Sequence, residues 1–210
     1  MRSQKIETIA MSDHCRLTAD DVCYFFGEYF SGSHGYQAGG TNQDISNFKK
    51  TLDRKGKPEW KYKEAAIKKY AKMLKEEMVH IDHITFIPVP PSKCKNDPLY
   101  DDRVIRMLKT AFGERADIRE LVVQKESTNA VHTSSSRPPI QDLIDNYEVV
   151  EGLCFPLRKN IVIVDDVLTT GSHFKAVKSV LTNKFGSIDI CGVFLARRVF
   201  ANVADDFDII

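Results

Sequence analysis

Residues 160–172, NIVIVDDVLTTGS, decide how this chain is read. Ile161, Val162, Ile163 and Val164 form an apolar run without alternation, the pattern of a strand covered on both faces in a parallel sheet. The run ends in two adjacent acids, Asp165 and Asp166, and open α/β sheets bind their ligands at the carboxyl ends of their strands. Ionised carboxylates at such an edge suit a vicinal diol, because each accepts two hydrogen bonds in a near-planar fork. Thr169, Thr170, Gly171 and Ser172 then open a helical pattern, where free backbone N–H groups and the helix dipole favour a phosphate. Gly171 has no side chain and lets the backbone approach that phosphate closely. Diol acceptors and phosphate donors thus lie about a ribose apart. The same residues would also serve merely to end a strand and cap a helix.

Upstream, Ile84 to Val89 reads as a strand, stopped by the prolines at 88, 90 and 91 in a rigid loop that makes a second candidate ligand edge. Leu99 to Phe112 places Val104, Ile105, Leu108 and Phe112 on one helical face, and Leu121 to Val123 supplies the next strand of a βαβ unit. Lys125 to Pro139 is polar, serine-rich and proline-ended, so it is expected to be a mobile excursion of the lid type. Downstream, Phe174, Val177, Val180, Leu181 and Phe185 give an amphipathic helix, followed by a last strand from Ile188 to Ala196. Alternating strands and helices predict a doubly wound, mostly parallel α/β sheet with right-handed crossovers.

The N-terminal part is expected to be helical. Asp20 to Phe30 reads as a short aromatic helix with acids in its first turn, and residues 31–43 as a loop. From Trp60 to Met78, Trp60, Ile67, Tyr70, Ala71, Leu74 and Met78 recur at helical spacing. This divides the chain into a helical extension or hood over residues 1–80 and an α/β domain over residues 81–210. Lys49, Lys50, Arg54, Lys55, Lys57, Lys61 and Lys63 form a basic stretch, read as a solvated face with phosphate contact as the alternative.

At 210 residues the chain can fill one α/β domain with an extension. Thirty Lys and Arg against 29 Asp and Glu, a net charge of +1, give no global reason to bind nucleic acid or a membrane. No apolar run approaches the roughly 20 residues of a membrane span, and the first residues lack a secretion-signal core, so a cytoplasmic location is expected. Cysteines at 15, 23, 94, 154 and 191 include no C-x-x-C pair and predict reduced thiols. His14, Cys15, Cys23 and His34 are too irregularly spaced for a structural metal site.

The aliphatic strand, acid pair and Thr-Thr-Gly of residues 161–171 closely resemble the ligand signature of the type I phosphoribosyltransferases. Taken with Pro88-Val89-Pro90 and a terminal strand ending Leu195-Ala196-Arg197-Arg198, the region from Ile84 to Arg198 looks like the ComF-like, amidophosphoribosyltransferase-like branch. The resemblance implies a transferase of nucleotide metabolism. It would bind 5-phosphoribosyl 1-diphosphate (PRPP) with Mg²⁺, pass the ribosyl 5-phosphate to a nitrogen acceptor and release pyrophosphate.

Carried over by position, Asp165 and Asp166 would hold the ribose hydroxyls, directly or through Mg²⁺, and Thr169, Thr170, Gly171, Ser172 and His173 would cradle the 5-phosphate. Pro90, Pro91, Ser92 and Lys93 would form the pyrophosphate loop, and Lys125, His132 and Arg137 are the cations a closing loop could bring, with Lys125 and Arg137 in catalytic roles. His173 stands where the family has a small hydroxyl residue and offers an imidazole that could be cationic. After Pro90 the chain reads SKCKNDPLYDDR, where the branch has an arginine-rich stretch, leaving Lys93, Lys95 and Arg103 as cations. The partners implied are PRPP or a nucleoside monophosphate and an unidentified nitrogen acceptor, and the family's habit allows a homodimer; no membrane partner is expected, and nucleic-acid binding through the basic stretch is the least favoured reading. The alternative is a non-catalytic PRPP or nucleotide sensor serving DNA uptake or defence.

Overall fold

The computed structural model describes residues 2–7, 10, 13–31, 39–128 and 139–200. Eight strands and five α-helices are described: β1 Gln4–Lys5, β2 Val22–Ser31, α1 Gly40–Phe48, α2 Trp60–Glu77, β3 Ile84–Pro88, α3 Arg103–Phe112, β4 Asp117–Ile118, β5 Val122–Gln124, α4 Ile140–Asn146, β6 Tyr147–Val149, β7 Asn160–Leu168, α5 Ser172–Phe185 and β8 Asp189–Phe200. Six strands form one sheet in the order β1-β2-β8-β7-β3-β4. All neighbours are parallel except β1, which runs antiparallel to β2 at the edge.

The apolar run of residues 161–164 lies in β7, between β3 and β8, and each face meets helices. Val162 and Val164 pack with α1, α2 and α3 through Phe48, Leu74 and Met107. Ile161 and Ile163 pack with α4 and α5 through Leu143, Phe174 and Leu181. Both faces of the strand are therefore dry, which is why the sequence shows no alternation.

Two expectations are corrected. Asp20 to Phe30 is not a helix, because Val22 onward forms strand β2, paired with β8 from Val22↔Cys191 to Ser31↔Phe200. Its β-branched and aromatic residues suit a pleated surface, and the apolar run mimicked a helix only because β2 too is covered on both faces, with Phe26 in one core and Cys23 and Phe25 in the other. Asp21 is no dipole partner of a helix under it but the shared counter-ion of Lys175 and Lys178 on α5, at 2.7 and 2.6 Å.

The strand near Leu121 does not continue the main sheet. Val122–Gln124 pairs antiparallel with β6 in a separate ribbon, and the βαβ unit closes instead on the two-residue β4, parallel to β3. Residues on both sides of position 80 contribute to one core. Phe26, Ile45, Phe48 and Leu74 share one cluster with Phe86, Val162 and Leu195, and β2 adds a strand inside the sheet. Among the described residues no helix is long and apolar enough to cross a membrane.

Candidate functional site

The chain order and the sheet order part company between β3 and β7. From β3 the chain goes outward through α3 to β4, whereas from β7 it goes through α5 to β8 on the other side. Because α3 and α5 lie on opposite faces, the loops that follow β3 and β7 diverge and leave a crevice at the strand ends, the usual ligand position of an open α/β sheet. Pro88 stands opposite Val164, and the Val89 N–H donates to the Val164 carbonyl at 2.9 Å. There β3 stops, and Asp165 and Asp166 continue beyond it.

Asp166 is 6% exposed at its side chain and is held by two cations. Lys49 Nζ reaches Oδ1 at 3.2 Å, and the Arg103 guanidinium lies on Oδ2 through Nη2 at 2.6 Å and Nε at 3.2 Å. Burial alone would raise the Asp166 carboxyl, but Lys49 and Arg103 outweigh it and hold the carboxyl well below the usual range. Asp165 has no such partners. Burial first, and the Asp166 charge second, push its carboxyl up to about 7, while the Asp166 N–H donates to Oδ1 at 2.7 Å. The pair thus combines one fixed carboxylate with one that titrates near neutrality.

The loop after β7 turns through Gly171, at φ +88°, into the first turn of α5. Thr170 and Ser172 share a hydroxyl–hydroxyl hydrogen bond at 2.9 Å. The N–H groups of a first turn have no partner within their helix, so this end of α5 can receive an anion. The segment after Asp13 covers the outside of the loop. Arg16 N–H donates to the Thr170 carbonyl at 3.0 Å, and the fully buried His14 donates from Nδ1 to the Thr169 carbonyl. Among the described residues His14 Nε2 has no partner, and burial lowers the imidazole's proton affinity.

Leu17 closes on Gly171 so tightly that a Cβ there would lie 2.8 Å from Leu17 Cδ2. Gly171→Ala is therefore expected to cost about 1–2 kcal/mol in left-handed backbone strain, with a further steric share set by Leu17. Chemical denaturation of the two single variants and the Gly171→Ala, Leu17→Ala double variant checks this. The penalty at 171 should shrink when Leu17 is truncated, and an equal penalty in both backgrounds contradicts the contact.

His173 is bound at Nδ1 to the Tyr147 hydroxyl at 2.8 Å, and its proton affinity is lowered by burial despite the nearby Asp166. Burial raises the Tyr147 hydroxyl's pKa above its ordinary value. The Pro90–Lys93 loop runs directly on from β3. Its carbonyls are tied down, Pro91 O by Gln124 Nε2 at 2.5 Å and Ser92 O by the Thr128 N–H at 2.7 Å, while Lys93 Nζ lies 3.9 Å from Asp97. Lys125 is engaged elsewhere, donating to the Asp145 carbonyl at 2.5 Å at the end of α4. His132 and Arg137 lie outside the described residues.

Sequence reasoning missed the clamp on Asp166 and the ion pairs behind it. Arg103 Nη1 also bonds Asp101 Oδ2 at 2.9 Å, and the fully buried Lys63 bonds the same oxygen at 2.7 Å. Lys63 and Lys49 therefore leave the basic stretch, one as a core residue and one as a partner of the acid pair. A signal for Lys63 existed: it lies three and four residues before Ala66 and Ile67, on the apolar stripe of α2. Nothing local marks Arg103 or Lys49.

Mg²⁺ usually takes one or two carboxylates together with phosphate oxygens of its substrate. Asp165 and Asp166 would supply that protein share, while among the described residues no group of three metal-ligating side chains converges. The donor set therefore fits an ion that arrives with a phosphorylated ligand. No protein-family model and no curated protein matches this chain.

Proposed function

We propose that this protein binds PRPP at the ends of β3 and β7 and transfers its ribosyl 5-phosphate to a nitrogen acceptor, as a phosphoribosyltransferase of the type I, ComF-like kind. The observation that supports this most is the juxtaposition of an acid pair whose Asp166 is buried, a left-handed Gly171 loop opening α5, and the Pro90–Lys93 loop at one crevice between diverging helices. Asp165 and Asp166 accept the ribose hydroxyls. The first-turn N–H groups of α5 and the hydroxyls of Thr170 and Ser172 receive the 5-phosphate. The 1-diphosphate then extends toward the loop after β3.

Transfer breaks the C1–O bond to the diphosphate, whose oxygen keeps the electron pair, and forms a C1–N bond, with the acceptor's proton passing to solvent. Positive charge grows on the ribose ring in this step, and a fixed carboxylate at the diol side stabilises it without reorganising. Bound Mg²⁺ would supply neutralisation of the departing diphosphate. The residues' task is to orient C1 by holding the sugar at both ends.

One observation favours the second reading, a sensor without turnover. Asp166 already accepts from Lys49 at one oxygen and from Arg103 at the other, so its charge is balanced within the protein before a ligand arrives. Calorimetric titration of PRPP, with and without Mg²⁺, followed by a pyrophosphate-release assay across nitrogen acceptors, separates the two. Saturable, Mg²⁺-dependent binding with release supports the transferase, binding without release supports the sensor, and no heat at millimolar PRPP overturns both.

A further inference from the structure

Asp166 is held by two cations of very different freedom. Arg103 is 18% exposed and bridges two carboxylates, with two contacts to Asp166 and one to Asp101. Asp101 is fixed in turn by Lys63, which is fully buried. Lys49 is 46% exposed and makes a single contact, at 3.2 Å. Its backbone, however, is firmly placed. Lys63 Nζ takes the carbonyls on either side of it, Phe48 O at 3.0 Å and Lys50 O at 2.7 Å, and the Arg103 guanidinium lies 5.9 Å from the centre of the Phe48 ring. A fixed backbone thus carries a flexible four-carbon stem with a point charge at its end.

A diol that approaches Asp166 competes with Lys49 at Oδ1 and with Arg103 at Oδ2. Arg103 would give up two contacts, at 2.6 and 3.2 Å, and leave Asp101 with a single cation, whereas Lys49 gives up one, at 3.2 Å, and swings into solvent. Lys49 is the donor that yields. The C1 substituent of a ribose sits one carbon from the 2-hydroxyl, so an ammonium pushed off the diol acceptor is within a side-chain swing of a C1 diphosphate. We propose that Lys49 is the exchangeable cation of the site: it neutralises Asp166 when no ligand is bound, and binds the 1-diphosphate of the sugar ligand when the diol takes its place. This rests on the PRPP reading above and adds a ligand contact from the residue that follows α1.

Titration of PRPP and of ribose 5-phosphate, which lacks the diphosphate, into wild-type, Lys49→Ala and Lys49→Arg protein tests the exchange. Loss of one charge-assisted hydrogen bond corresponds to a roughly ten-fold or larger fall in PRPP affinity for Lys49→Ala. Ribose 5-phosphate affinity should stay level or rise, because a competitor for Asp166 is gone, and Lys49→Arg should keep the wild-type preference for PRPP within a few-fold. Equal loss of both ligands in Lys49→Ala, or no loss of either, overturns the exchange while leaving the PRPP site standing. Wild-type protein that binds neither sugar overturns the PRPP reading itself and the inference with it. Far-ultraviolet circular dichroism and thermal melting of each variant separate misfolding from lost contact, and Lys49→Arg carries the test if Lys49→Ala does not fold.

Discussion

Lys63→Met lowers the stability of the fold by about 3 kcal/mol or more, although methionine fills nearly the same volume. Breaking a buried pair from one side costs roughly 3–5 kcal/mol because the remaining charge and acceptors stay buried. Here the ammonium serves Asp101 Oδ2, Phe48 O and Lys50 O together, at 2.7, 3.0 and 2.7 Å. Arg103 still partners Asp101 in the variant, which holds the loss near the lower end of that range, but the two carbonyls have no second donor among the described residues. Against a typical total of about 5–15 kcal/mol, this is a large fraction. Urea unfolding of Lys63→Met, Asp101→Asn and the double variant measures it. A coupling energy near zero, or a Lys63→Met loss under about 1 kcal/mol, removes the buried ammonium from the account of how α1, α2 and α3 are joined.

That ammonium also shows where sequence reading stops. The β7–α5 unit was legible because its evidence is local: four consecutive aliphatics, two acids and a glycine whose left-handed φ only glycine adopts without strain. Helix α2 was legible from its 3.6-residue period. Strand β2 was not, since an apolar run with acids before it fits either a capped helix or a strand buried on both faces, and only pairing with β8, some 169 residues later, decides between them. The site divides the same way. Asp165, Asp166 and the Thr169–Ser172 loop are contiguous, so they stand out as candidates in the sequence. The groups that set their charge, Lys49 and Arg103, are 117 and 63 residues away in sequence, and each looks like an ordinary surface cation until the fold brings it to Asp166.

Asp166→Asn is expected to cut PRPP affinity by at least about 100-fold and to move the Asp165 titration downward. The first effect follows from replacing an ionised acceptor of the diol with a neutral one, since two charge-assisted hydrogen bonds at roughly 1.5 kcal/mol or more each are lost. The second follows from the coupling of the pair. Asp165 is raised to about 7 by burial and by the Asp166 charge, with Lys49 and Arg103 opposing more weakly. Remove that charge, and the same two cations act on Asp165 alone. Carboxyl carbon-13 NMR reads the change directly. Stability carries it with a definite sign: the native state keeps the Asp165 proton through the window from about pH 4 to about pH 7, where the unfolded chain has released it, so wild-type stability falls as pH rises through that window. One proton limits the slope to about 1.4 kcal/mol per pH unit. Asp166, lowered by its cations, acts in the opposite sense, contributing stability above about pH 4 that is lost as pH falls below it. In Asp166→Asn both slopes should diminish. A variant whose Asp165 still titrates near 7 would mean that burial alone sets that proton, and that the two acids share a crevice without sharing charge.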